Sequence, residues 1–216
     1  MNTVKEKDFI EISYIGRIKD SNQIFDLTDK DLAKKENIFN ENEDYNPKII
    51  CIGESQILKA IDDTLIGKDI GKTYTLELSP EKAFGKKDSS LIKVVQTSVL
   101  QQQKINPFPG LQINASGLLG TIRAVNSGRT TIDFNHPLAG RNIIYEIKIN
   151  RIVTELKEKI SSLVKNLIGI HDKEFTLVLE GNNAEIKLNL KIPSEIKEGF
   201  IKKVKNILSD VNFSFV

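Results

Sequence analysis

The sequence predicts an α+β chain built mainly from antiparallel strands, and three observations predict it. Apolar and polar residues alternate over residues 8–19 and again over 143–149, the period-2 pattern of half-buried strands. Residues 88–134 are richer in Gly, Asn, Gln and Ser, with short apolar runs between turn signals, as in a small all-β subdomain. From about Thr154 the pattern becomes helix, strand, strand, helix, strand, enough for a two-layer αββαβ unit.

Taken in order, Ile10, Ile12 and Tyr14 share one face of the first strand, with Gly16 marking a bulge or bend. Asp20-Ser21-Asn22 turns the chain into a short strand at Gln23-Ile24-Phe25. Residues 28–46 are polar and charged and read as a surface excursion with a short helix near Lys30–Lys35. Ile49, Ile50, Cys51 and Ile52 form a buried strand that stops at Gly53. Ser55 is the expected N-cap of the next helix, which carries Ile57, Leu58, Ile61 and Leu65, and Gly67 sits where a C-terminal glycine belongs. Thr73–Leu78 alternates, and Ser79-Pro80 turns the chain. Short strands follow at 92–95, 113–114, 120–125 and 129–134, with a rigid turn at Pro107-Phe108-Pro109-Gly110 and a hairpin turn at Ser127-Gly128. The tail reads as a helix over 155–168, two strands around Gly181-Asn182-Asn183, a helix opening at Ser194 and a last strand through Val211, Phe213 and Phe215.

Composition excludes several classes. In 216 residues, 39% hydrophobic and 28% charged residues describe an ordinary globular chain, not a disordered, collagenous or coiled-coil one. A net charge of +2 gives no basic field for bulk nucleic-acid binding. The single cysteine, Cys51, forms no internal disulfide, which suits a reducing, cytoplasmic setting. With two histidines, His136 and His171, a His/Cys zinc site of the usual structural kind is not expected. The charged N-terminus lacks a signal-peptide pattern, and no apolar run approaches membrane-spanning length.

The motifs that resemble catalytic devices read better as structure. Gly67-Lys68-Asp69-Ile70-Gly71-Lys72-Thr73 has three residues before its Gly-Lys pair where a phosphate loop has four, and it lies between a helix and a strand. Asp62 and Asp63 diverge by about 100° on a helix, so a solvated face is expected for both. Cys51 lies in an apolar strand and reads as an inert core thiol. His136 lies alone in a turn. What remains is a set of aromatic residues near strand ends, Tyr14, Phe25, Phe84 and Tyr145, and one acid, Asp26, straight after an apolar strand. From periodicity alone the four aromatics read as core, with a binding cleft as the alternative.

A resemblance adds to this reading. The run Ile-Ile-Cys-Ile-Gly-Glu-Ser-Gln-Ile-Leu-Lys-Ala-Ile-Asp-Asp-Thr-Leu from Ile49 to Leu65, followed by Gly67, Gly71 and Pro80-Glu81-Lys82-Ala83-Phe84-Gly85, resembles the signature of FK506-binding-protein (FKBP) type peptidyl-prolyl isomerases. Phe25-Asp26 is similar to the family's pocket Phe-Asp, and Tyr14 to its first-strand tyrosine. Asn135-His136-Pro137-Leu138-Ala139-Gly140 and the strand over 143–149 resemble the closing segment of SlyD-like members, in which an insert-in-flap chaperone domain replaces the flap loop. The excursion and the tail look like the long archaeal type. The resemblance covers about 150 residues, its motifs in family order.

It implies an antiparallel half-barrel wrapped on a short helix, formed by residues 1–87 and 135–153, with the insert at 88–134 and a C-terminal domain at 154–216. It implies catalysis of X-Pro rotation by Tyr14, Phe25, Asp26, Ile57, Leu58, Ile61, Phe84, Leu138 and Tyr145, with the Ile57 amide holding a substrate carbonyl. It implies no cofactor and no metal. The implied partners are unfolded or proline-containing polypeptides and macrolide inhibitors, with neither nucleic acid nor membrane, and a homodimer through the C-terminal domain is a further expectation. Three positions depart from the pattern: Ala60 replaces the helix glycine, Ile61 the floor aromatic, and Phe84 a tyrosine whose hydroxyl would face substrate. These departures keep open a holdase of the same fold with little isomerase activity, and a scaffold whose tail docks elsewhere.

Overall fold

The computed structural model describes residues 3–115 and 117–216. In chain order the elements are β1 (Phe9–Ile18), β2 (Ile24–Leu27), α1 (Lys30–Lys35), β3 (Lys48–Cys51), α2 (Lys59–Leu65) and β4 (Thr73–Leu78). Then come β5 (Ile92–Gln96), α3 (Thr97–Gln102), β6 (Gln112–Ala115), β7 (Leu118–Asn126), β8 (Arg129–Asp133) and β9 (Ile143–Ile152). The last five are α4 (Leu156–Ile168), β10 (Phe175–Glu180), β11 (Asn183–Leu188), α5 (Ser194–Ile207) and β12 (Asn212–Phe215). They divide into two compact units, Met1–Leu78 with Ile143–Val216, and Ser79–Asn142.

The first unit is organised on β1. One edge of β1 pairs antiparallel with β9, from Ile10 opposite Ile152 to Ile18 opposite Ile143. Its other edge is divided: Phe9 to Ile12 pair with β3, and Ile15 to Arg17 pair with β2. The register shifts between Gly16 and Arg17, the irregularity expected at Gly16. β4 lies on the far side of β9. Period-2 alternation fixes this register, because Ile10, Ile12, Tyr14 and Ile18 are buried together with Ile143, Tyr145, Ile147 and Ile149.

Residues 28–46 leave the sheet between β2 and β3. Asp29 caps α1, its Oδ1 accepting from the Leu32 amide at 2.9 Å. Ile24, Leu27 and Ala33 form a small core under it, packed with Phe39 and Tyr45.

Two sequence expectations around α2 are corrected. Ser55 is not its N-cap: the helix starts after Leu58, without a side-chain cap, and Ser55 has a positive φ of 52° in the preceding turn. Asp62 is not solvated: it is 2% exposed. Its carboxylate accepts from the Gly53 amide at 3.1 Å and the Ser55 amide at 2.9 Å, so it ties down that turn. Asp63 does face solvent, paired with Lys59.

The C-terminal αββαβ segment forms a three-stranded sheet in the order β10-β11-β12, with β11 and β12 parallel and joined through α5. Its core takes in Ile160, Leu163, Val164, Phe200 and Val204, and also Phe9 of β1 and Cys51 of β3. Asn166 of α4 donates through Nδ2 to the Ile49 carbonyl at 2.8 Å and to Gln56 Oε1 at 3.0 Å. Arg151 forms ion pairs with Glu11 of β1 and Glu158 of α4. Burial pushes the Cys51 thiol up to about 12, aided by the carboxylates of Glu54 and Asp62, so it stays protonated and inert near neutral pH.

The second unit carries a four-stranded sheet in the order β5-β8-β7-β6. Ser127 and Gly128, with φ of 47° and 74°, make the hairpin turn between β7 and β8. The segment is not all-β: Thr97–Gln102 is a helix, α3, whose Leu100 joins Ile113, Ile122 and Ile132 in the core. Below them the buried Asp133 carboxylate accepts from Lys87, Arg123 and Asn135. Burial alone would push that carboxyl up, but the hydrogen bonds from Asn135 and Lys87 outweigh it and hold it below the usual range.

Candidate functional site

Three strands of the first unit bring their aromatic residues together around one acid. Tyr14 points inward from β1, Phe25 and Asp26 come from β2, and Tyr145 from β9. The Tyr145 ring is edge-on to Tyr14, with centroids 5.7 Å apart, and to Phe25 at 5.6 Å. Tyr145 lies opposite Gly16, and a Cβ at Gly16 would come within 2.9 Å of the Phe25 ring and 3.0 Å of the Tyr145 ring. Only glycine leaves the two rings their room there.

The Tyr145 hydroxyl donates to Asp26 Oδ2 at 3.2 Å. Burial raises the Asp26 carboxyl above its ordinary range, while the tyrosine hydroxyls and Lys48 act to lower it. Burial and the neighbouring Asp26 charge raise both the Tyr14 and the Tyr145 hydroxyl, so each stays protonated as a donor. Tyr14 is anchored through its backbone: its amide donates to Thr28 Oγ1 at 2.8 Å, and its carbonyl accepts from the Thr28 amide at 3.0 Å.

Two cavities of this unit meet Asp26. One, of about 440 Å³, has Tyr14 and Asp26 on one side, residues of the 43–49 segment on another, and the end of α4 on a third. The other, of about 300 Å³, lies along Phe25, Asp26 and Tyr45. The larger cavity is not apolar throughout, because Glu43, Asp44, Lys48 and Lys165 share its walls with Tyr14 and Ile49.

The remaining expected residues fall in three places. Ile57 and Leu58 are half-buried in the turn that leads into α2, and they line neither cavity. Ile61 is fully enclosed in the first turn of α2. Phe84 and Leu138 belong to the second unit, where Phe84 stacks on His136 with centroids 4.6 Å apart and the Leu138 amide donates to His136 Nδ1 at 3.2 Å. His136 is therefore not alone in its turn. Among the described residues no group of three or more His, Cys, Asp or Glu side chains is placed to hold a metal, and no helix is long and apolar enough to cross a membrane.

Sequence reasoning missed the walls of the larger cavity. Lys48, Lys165 and His171 carried no motif, and only folding brings α4 beside residues 43–49. It also missed Gln56. The Gln56 Oε1 accepts from the Cys51 amide and from Asn166, while its buried Nε2 has no hydrogen-bond partner among the described residues.

The family model "FKBP-type peptidyl-prolyl cis-trans isomerase" matches residues 1–101, and the model "FKBP26, IF domain" matches residues 93–138. A short-type peptidyl-prolyl cis-trans isomerase of Methanocaldococcus jannaschii is 27% identical over 152 residues, 70% of this chain and 96% of the relative. A probable FKBP-type 16 kDa isomerase of Pseudomonas fluorescens is 28% identical over 109 residues, 49% of this chain and 73% of the relative. An isomerase named SlyD from Helicobacter pylori is 24% identical over 115 residues, 52% of this chain and 62% of the relative. The two family models match in order along residues 1–138, and over that stretch the chain is similar to FKBP-type peptidyl-prolyl cis-trans isomerases.

Proposed function

We propose that the chain is a peptidyl-prolyl cis-trans isomerase that accelerates X-Pro rotation in folding polypeptides, acts in the cytosol, and holds unfolded segments on its Ser79–Asn142 unit. The observation that carries this reading is the packing of Tyr14 and Phe25 on Tyr145, whose hydroxyl donates to the half-buried Asp26.

Peptide rotation crosses a barrier of about 18–20 kcal/mol, and uncatalysed X-Pro isomerisation takes tens to hundreds of seconds. No bond breaks, so the reaction asks for no nucleophile, metal or cofactor. The twisted amide has lost resonance: its nitrogen is more basic and its carbonyl less polar. An apolar surface that strips water from the amide therefore favours the twisted form over the planar one. Lowering the barrier by about 4 kcal/mol gives roughly a thousandfold acceleration. In this reading the rings of Tyr14, Phe25 and Tyr145 receive the prolyl ring, and Asp26, held by Tyr145, orients the pocket against the rotating carbonyl. The Ile57 amide holds a neighbouring substrate carbonyl, and Leu58 and Ile61 support the turn that presents it. Macrolides that mimic a prolyl peptide would occupy the same rings.

A second reading, a holdase with little isomerase activity, is favoured by one specific observation. Leu91, Ile92, Val94, Val99, Phe108, Leu118 and Leu119 are all exposed in the Ser79–Asn142 unit. β5 and β6 are the edges of its sheet and offer backbone groups for strand addition. Refolding of a protein whose slow phase is prolyl isomerisation decides between the two. Catalytic amounts of the chain shorten that phase if it is an isomerase. A chain that only suppresses aggregation, and leaves both this phase and a proline tetrapeptide assay unchanged, is the holdase.

A further inference from the structure

The larger cavity is closed on its far side by the C-terminal segment. Lys165 and Asn166 of α4, and Ile170 and His171 just beyond it, face Tyr14 and Asp26 across the opening. This wall is fixed in place. Asn166 is tied to the Ile49 carbonyl and to Gln56, Ile49 itself lines the cavity, and α4 shares a core with Phe9 and Cys51. The volume, about 440 Å³, falls in the range of small-molecule and peptide side-chain sites. The space has Tyr14 and Asp26 of the proposed site at one wall and the end of α4 at another.

We propose that this cavity is a flanking subsite, in which the residues of a substrate polypeptide next to the prolyl bond lie between segment 43–48 and the end of α4. The C-terminal segment is then part of the substrate-binding surface. This rests on the isomerase reading above and deepens it. The walls also state which flanks fit. Charged groups of both signs, Glu43, Asp44, Lys48 and Lys165, would lose water without compensation against an apolar side chain, so the subsite takes hydrophilic residues.

The test compares a proline tetrapeptide with a dodecapeptide that extends the same core by hydrophilic flanks. In the 216-residue chain, the dodecapeptide shifts the backbone amide signals of Lys165, Asn166 and His171, and the tetrapeptide does not. Signals that stay unmoved with both peptides overturn the proposal. Bulk placed on either wall, as Lys165→Trp or Asn46→Trp, lowers the ratio of kcat/KM for the dodecapeptide to that for the tetrapeptide about fivefold. A variant that keeps the wild-type melting temperature and the wild-type ratio also overturns it. If the wild-type chain turns over neither peptide, the isomerase reading fails. Fluorescence anisotropy of a labelled dodecapeptide then decides the subsite alone: a Kd about fivefold weaker in the variants upholds it, and an unchanged Kd overturns it.

Discussion

In the unit formed by Met1–Leu78 and Ile143–Val216, the large side chains of β1, β9 and α4 are enclosed, and the aromatic rings at the site touch one another. In Ser79–Asn142, four residues, Leu100, Ile113, Ile122 and Ile132, make the buried cluster, while seven large apolar side chains stand exposed. The first arrangement holds a few groups in one geometry by mutual contact, which favours positioning a substrate group. The second leaves apolar surface available without specifying geometry, which suits binding many different unfolded segments. The difference teaches that a small core with exposed flanks, a weakness in a domain that only has to be stable, is serviceable in one that has to be sticky.

The comparison can be broken or sharpened at four places. The largest effect is expected for Ile122→Ala, which removes a fully buried side chain from the four-residue core and costs about 2–5 kcal/mol. Hydrogen exchange should show protection lost over residues 79–142 and kept over β1 and β9. Loss of protection in both regions would mean that the two cores are not independent. Next, Asp26→Ala should lower kcat/KM on a proline tetrapeptide about 10- to 100-fold, equivalent to about 1.4–2.7 kcal/mol. An unaltered rate removes the acid from the site. Third, Leu118→Ser with Leu119→Ser, both exposed, should weaken suppression of aggregation several-fold and leave the melting temperature within about a degree or two, since exposed substitutions usually change stability by under 0.5 kcal/mol. A large loss of stability would place these leucines in structure.

The smallest effect concerns charge. Because burial raises the Asp26 carboxyl above its ordinary value of 3.8, the folded state binds a proton that the unfolded state has released. Stability from this group is full below that value and falls as pH rises through the raised one. Asp26→Asn keeps an acceptor for Tyr145 and carries no charge, so it should melt slightly above wild type at neutral pH, with the gap closing as pH falls toward 4. A gap that widens on acidification would contradict the raised carboxyl.

How far the sequence reached depended on the range of the forces involved. β1 and β9 were legible because alternation is written in neighbouring residues, and α4 and α5 because apolar residues recur at helical spacing. Helix α3 was not, since Val99-Leu100 is followed by Gln101-Gln102-Gln103 and shows no apolar stripe. Asp62 looked solvated because its neighbour Asp63 is, yet the turn at Gly53 and Ser55 presents amides that need an acceptor. At the site, Tyr14, Phe25, Asp26 and Tyr145 were singled out as individuals, with their roles supplied by family resemblance. That Tyr145 bonds Asp26 across 119 positions, or that Gly16 exists to clear two rings, is a fact of packing with no local trace. The wall contributed by α4 was invisible for the same reason.

Phe9 and Cys51 sit in two strands of the five-stranded sheet yet are sealed by side chains that arrive 100 residues later or more. A protein shortened after Ile152 would open both, with Ile49, to water. Evolution of a briefer version from this one would thus demand hydrophilic replacements on that flank of β1 and β3 first, and any experimenter trimming the tail inherits the same debt as precipitation.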